Sequence, residues 1–199
     1  MSGFIGEFFG TLVLIVLGTG CGAAINLQKS YAKGASWLYV TIAWGMAVTF
    51  GVYVAASLGS QGHLNPAVTI GFASFGFFPW SEVGPYLLGQ FLGAFVGAAL
   101  VAIQFYPHFK ATKTSEAGNN VGIFATAPAI KNNLFNFLSE TIATFIFVFA
   151  LLNLGDFDKG LKPIAVGLLI MVVGQALGGT TGFALNPAWD CSPRLAYTV

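Results

Sequence analysis

Two short stretches decide the fold: Gly62-His63-Leu64-Asn65-Pro66-Ala67-Val68-Thr69 and Gly182-Phe183-Ala184-Leu185-Asn186-Pro187-Ala188. Asn is among the best helix N-caps, and Pro is favoured at the first helical position. Each Asn-Pro-Ala therefore reads as cap, first residue and helix start. The apolar run after Asn65, through Phe75, is only about half the ~20 residues a membrane-crossing helix needs. It reads as a re-entrant half-helix whose N-terminus presents unpaired N–H groups and the positive end of the dipole. Irregular backbone at that depth is tolerated only where it lines protein or a watery cavity. Two such half-helices entering from opposite faces meet N-terminus to N-terminus. Their joint positive potential repels cations and protons at the midplane. Each Asn can still spare an N–H donor for a passing hydroxyl or water.

The rest of the chain fits that setting. Of 199 residues, 56% are hydrophobic and 8% charged, against about 25% charged in soluble domains. Eight Lys and Arg against seven Asp and Glu give no cluster of cations for nucleic acid. Low charge and high hydrophobicity also exclude disorder. The composition is that of a multi-pass membrane protein embedded in the lipid bilayer. Apolar stretches predict five spans, at about 4–25, 36–58, 82–105, 134–155 and 161–178. The segment 106–133 carries Lys110, Lys113, Glu116 and Lys131 and reads as a water-exposed connection at the midpoint. Cys21 and Cys191 have no partner spacing for a metal or a disulfide framework. Cys21 follows an apolar run, but Glu7 stands where a lipoprotein signal carries its basic region, so the first segment reads as a retained helix.

A repeat flanks the midpoint. Glu7-x-x-x-Thr11 is echoed by Glu140-x-x-x-Thr144, and Ala43-Trp44-Gly45 by Ala165-Val166-Gly167, before the two Asn-Pro-Ala motifs. Three spans precede the midpoint, so the second half enters with opposite orientation. Such inverted repeats place a substrate path at the midplane. Residues 1–199 are expected to form a single channel domain. Residues 1–106 form its first inverted repeat and 134–199 a second, truncated one, with no sixth span after Asn186.

On these motifs, with Gly6-Glu7-Phe8-x-Gly10-Thr11, the chain resembles the aquaporin and glycerol-facilitator (major intrinsic protein) family over its whole length. The bacterial glycerol facilitators are the branch it resembles. The resemblance implies an all-α transmembrane, inverted-repeat bundle with two re-entrant half-helices. It implies a passive channel for glycerol, small polyols and water in the cell membrane, a homotetramer with one pore per subunit, no cofactor and no metal. It places Asn65 and Asn186 at the midplane and Trp44 and Phe183 at an aromatic corner of the filter. Gly174 falls at a fifth-span filter position, where its lack of a side chain leaves room for a polyol. Asp190 matches an acid that glycerol facilitators carry. The resemblance assigns Glu7 and Glu140 to bracing the half-helix loops. His63, Pro66 and Pro187 join that scaffold. The Gly89-x-x-x-Gly93-x-x-x-Gly97 seam reads, from its small-residue spacing, as close helix packing.

One departure concerns the filter itself. Where the family carries a filter arginine, this chain has Trp189, which either fills the constriction or stacks beside Trp44. An arginine has five donors and a charge; indole has one donor and none. Arg194 lies five residues on, about 140° round a helix, and is no replacement. Positively charged loops place the N-terminus outside, whereas the family places it in the cytoplasm; the family match is the more specific signal. Three rivals remain: a channel passing water or another small solute with little glycerol, a non-conducting family member, and a membrane enzyme. The last lacks a Ser/His or paired-acid arrangement at midplane depth.

Overall fold

The structure, a computed structural model, describes residues 2–112, 120–155, 158 and 160–198. Lys113, Glu116 and other residues of the midpoint connection lie outside the described residues. Among those described, every regular element is a helix: α1 (Ser2–Asn26), α2 (Trp37–Ser57), α3 (Pro66–Ser74), α4 (Trp80–Gln104), α5 (Tyr106–Ala111), α6 (Val121–Phe124), α7 (Asn133–Leu152), α8 (Lys162–Leu177) and α9 (Pro187–Thr198). Helices α1, α2, α4 and α7 are long and apolar enough to cross a membrane, and α8 is a shorter apolar helix of 16 residues. These match the five spans read from the sequence. α3 is nine residues long, or about 14 Å at 1.5 Å per residue, half a hydrocarbon core.

Burial is inverted relative to a soluble protein. Glu7, Thr11, Thr41, Thr69 and Gln90 are wholly buried, while Ile42, Met46, Phe50, Phe145 and Phe149 face outward. An apolar exterior is what a lipid solvent demands.

Without a hydrophobic drive between helices in lipid, association depends on close packing. Close glycine contacts supply it, among them one along α4 and one between α2 and α8. Along α4, a Cβ at Gly89, Gly93 or Gly97 would meet the backbone oxygens of Phe4, Phe8 and Leu12, respectively, at 3.0 Å or closer. The small-residue seam therefore packs α4 on α1. The second contact joins the two motifs matched by the repeat. A Cβ on Gly45 would lie 2.6 Å from the Gly167 oxygen, and one on Gly167 would lie 2.5 Å from the Gly45 oxygen. α2 and α8 thus touch backbone to backbone at equivalent residues. Thr49 Oγ1 ties the crossing by donating to Gly45 O at 3.1 Å and to Pro163 O at 3.2 Å.

The midpoint connection differs from its expected solvation. α6 is folded inward: Ile123 and Phe124 are buried in the cluster formed by Leu14, Ile15, Ala23 and Trp189. Four residues in a segment that also carries Lys110, Lys113, Glu116 and Lys131 are too short to show a period, so composition alone reads this segment as a loop.

The Gly45–Gly167 crossing yields a direct prediction. Gly167→Val should destabilise the folded protein by at least about 1–3 kcal/mol, the range for overpacking. Gly84→Ala, where an added Cβ has no neighbour within 4 Å, should leave stability unchanged or slightly raised. Thermal unfolding in detergent checks both; equal midpoints for the two variants would contradict the contact.

Candidate functional site: a central cavity and its two asparagines

Each half-helix starts as its motif dictates. Asn65 is extended, at φ −155°, and its Oδ1 accepts from Ala67 N at 2.9 Å. Asn186 Oδ1 accepts from Ala188 N at 3.0 Å and from Trp189 N at 3.3 Å. With the oxygens used as caps, the amide nitrogens point across the molecule. Asn65 Nδ2 donates to Leu185 O at 3.0 Å, and Asn186 Nδ2 donates to Leu64 O at 2.8 Å. The two loops are thus latched reciprocally. Each NH2 group has two hydrogens, so one donor on each Asn is left over.

To aim those carbonyls, the residue before each Asn leaves the ordinary backbone regions. Leu64 and Leu185 have φ of +53° and +52°, a left-handed conformation costing about 1–3 kcal/mol in a non-glycine residue. Two carboxylates hold them there. Glu7 accepts from Leu64 N at 2.7 Å, from His63 N at 2.9 Å and from the Ser60 hydroxyl. Glu140 accepts from Leu185 N at 3.2 Å, from Ala184 N at 3.1 Å and from the Thr181 hydroxyl. Donor for donor, the two sets are equivalent. Gln90 on α4 adds a bond to Glu7 at 2.7 Å and one to Thr69 Oγ1 at 2.9 Å. Among the described residues no amide does the same for Glu140, which is also less buried than Glu7. His63 packs its ring among Phe72, Phe78 and Tyr86, with Nδ1 3.2 Å from Thr69 Oγ1.

A cavity of about 880 Å³ runs past this latch. Its lining extends from Gln61 and Lys162 at one end to Asn26, Ala35 and Thr126 at the other. Asn65, Asn186, Trp44, Phe183, Trp189 and His63 all line it; Gly174 and Asp190 do not. Gly174 sits behind Phe183: a Cβ there would meet the Phe183 ring at 2.8 Å. The space expected for a polyol is filled by that ring. Asp190 faces away and accepts from Thr126 N at 2.8 Å and Thr126 Oγ1 at 3.0 Å. Arg194 is turned to the same place, donating to Asp190 Oδ2 at 3.1 Å and to Thr126 O at 2.6 Å.

The aromatic ring is larger than its sequence reading. Trp189 does not stand alone in the opening; it lies against Trp44 with centroids 4.4 Å apart. Gly18 makes room for this pair, since a Cβ there would meet the Trp44 ring at 2.5 Å. Trp37, which sequence reasoning missed, meets the Phe183 ring edge-on at 5.6 Å and donates Nε1–H to Gly174 O at 3.2 Å. No spacing signal marks Trp37, because its partners are on α8 and the loop after it. Ser60 and Thr181 were also missed, although each stands five residues before its Asn. Extending the repeat outward by that distance finds them.

A helical membrane bundle with two half-helices meeting over a cavity is a channel architecture, and the comparisons agree. The chain belongs to the major intrinsic protein family, whose model matches residues 1–199. It is 68% identical over 199 residues to glycerol uptake facilitator protein 2 of Lactiplantibacillus plantarum, covering 100% of this chain and 85% of that protein. It is 47% identical over 201 residues to the glycerol uptake facilitator protein of Streptococcus pneumoniae, with 100% and 85% covered. Among solved structures it is similar to the aquaglyceroporin from Plasmodium falciparum: TM-score 0.86, 35% identity, 99% of this chain and 81% of that one. The chain is an integral membrane protein.

The carboxylate network predicts a graded response. Glu7→Gln puts an NH2 group against N–H and O–H donors, a mismatch worth about 1–3 kcal/mol for each buried group left unpaired. Glu140→Gln should cost less, because Glu140 is half-buried and lacks the Gln90 contact. Unfolding midpoints of the two variants in one detergent test the order; a larger loss for Glu140→Gln would contradict it.

Proposed function

We propose that this protein is a passive channel for glycerol and small neutral polyols that also passes water. The observation that carries the reading is the reciprocal pair of Asn65 and Asn186 bonds beside a cavity lined from one end of the bundle to the other. Each Asn offers its second N–H to a solute hydroxyl or a water, while the two half-helix N-termini hold a positive potential against cations. Pro66 and Pro187 start the half-helices, and Glu7, Glu140 and His63 brace their loops. Trp44, Phe183 and Trp189 meet the carbon face of the solute. Gly174 and Asp190 act from behind, one seating Phe183 and the other anchoring Thr126.

Residues 1–106 and 134–199 act as the two inverted halves of one channel domain. The matched Glu7 and Glu140 bonds and the Gly45–Gly167 contact support that division. The chain works as a homotetramer with a pore in each subunit. The family membership and the outward apolar residues of α2 and α7 support this; native mass spectrometry should find four chains. Nothing in this reading requires a cofactor, and its partners are glycerol, water, small polyols and the lipid bilayer.

Reswelling of proteoliposomes after a glycerol osmotic shock tests the channel. The expected result is flux well above empty liposomes; no excess flux, with the protein shown to be inserted, would overturn the reading and favour a non-conducting family member. Trp189→Arg should raise glycerol flux by roughly tenfold, about 1.5 kcal/mol for one restored charged hydrogen bond. Unchanged or lower flux in a folded variant would contradict the placement of Trp189 on the path.

A further inference from the structure

Three aromatic side chains carry an N–H at the cavity's ring, and they are not equally free. The N–H of Trp37 is spent on Gly174 O. Those of Trp44 and Trp189 have no partner among the described residues, and both indoles line the cavity. The nearest guanidinium, that of Arg194, is engaged by Asp190 and Thr126. Of the cavity-lining residues among those described, only Lys162 carries a full charge, and it stands at the opposite end. Side chains at the ring therefore offer a solute two neutral donors set in aromatic surface, and no cation.

We propose that the Trp44–Trp189 pair sets the selectivity of this channel, favouring small amphipathic diols over the triol glycerol. This rests on the channel reading above and names the solute class for that site. A solute entering the ring sheds water from its hydroxyls, and each hydroxyl that finds no partner there opposes entry. Glycerol has three hydroxyls for two indole donors. Propane-1,2-diol has two, and its methyl group lies against the indole and Phe183 faces, where apolar contact is favourable. A guanidinium, with five charged donors, would reverse that balance by meeting every hydroxyl. The fixed geometry of the pair, tilted by 55° at 4.4 Å, with Gly18 seating one ring, makes the ring a defined surface.

The test measures flux of propane-1,2-diol and of glycerol through the full chain in proteoliposomes, each corrected for empty liposomes. The native chain should carry the diol several-fold faster than glycerol. Trp189→Arg should shift the diol-to-glycerol ratio by roughly tenfold toward glycerol. Trp189→Phe keeps the stacked ring and removes one donor, leaving one more hydroxyl unpaired for either solute, so both fluxes should fall several-fold with the ratio kept. This second variant decides the matter if the arginine variant does not fold. Glycerol flux equal to or above diol flux in the native chain, a ratio indifferent to Trp189→Arg in a folded variant, or diol flux undiminished by Trp189→Phe, would overturn the proposal and leave the channel reading standing. Flux of neither solute would overturn the channel reading, and the proposal with it.

Discussion

Two side-chain amides hold the centre of this molecule. Asn65 and Asn186 each cap their own half-helix with oxygen and grip the opposite loop with nitrogen. Much of the surrounding structure follows from keeping that exchange in register. The accepting carbonyls belong to Leu64 and Leu185, so both leucines must take a left-handed backbone. Leucine resists that conformation, so the loops need outside support. A carboxylate from α1 supports one loop and a carboxylate from α7 the other, each receiving two backbone N–H groups and a hydroxyl. In a medium without water such donors have no other partner. The acids are therefore structural requirements of the latch, and the glycine seam between α1 and α4 brings Gln90 close enough to support Glu7.

Charge and apolar surface are divided along the cavity. Positive potential is concentrated where the half-helix N-termini meet and at Lys162. The ring of Trp37, Trp44, Phe183 and Trp189 is neutral. On the proposed reading barrier and sieve are separate devices: the latch would oppose cations, and the ring would sort neutral solutes by how many hydroxyls they must desolvate. Replacing one residue in the ring should alter which solutes pass without disturbing the latch.

Much of this was legible in the sequence because the deciding residues do chemistry that has few alternatives. Asn-Pro at a helix start, placed twice in a chain with 8% charged residues, defines the half-helices and their meeting. Glu7 and Glu140 stood out because buried acids in apolar spans demand partners. Other features depend on tertiary placement. The left-handed leucines are ordinary leucines in sequence. Trp37 belongs to the ring only because α8 ends beside the start of α2. Gly174 suggested open space, but whether a missing side chain leaves a void depends on what packs there, and Phe183 does. Trp189 allowed two readings, plug or stack, which only its distance from Trp44 could separate. The inward turn of α6 was hidden by the charges elsewhere in its segment, Lys110, Lys113, Glu116 and Lys131.

A double-mutant cycle at the latch tests the central claim most directly. Asn65→Ala, Asn186→Ala and the double variant would be compared by reversible unfolding in one detergent. If the two amides hold a single junction, the double variant should lose less than the sum of the single losses, with a coupling of about 0.5–3 kcal/mol as found for residues in contact. Strict additivity would mean that the two half-helices are held independently, contradicting the account of a reciprocal latch on which the rest of the structure depends.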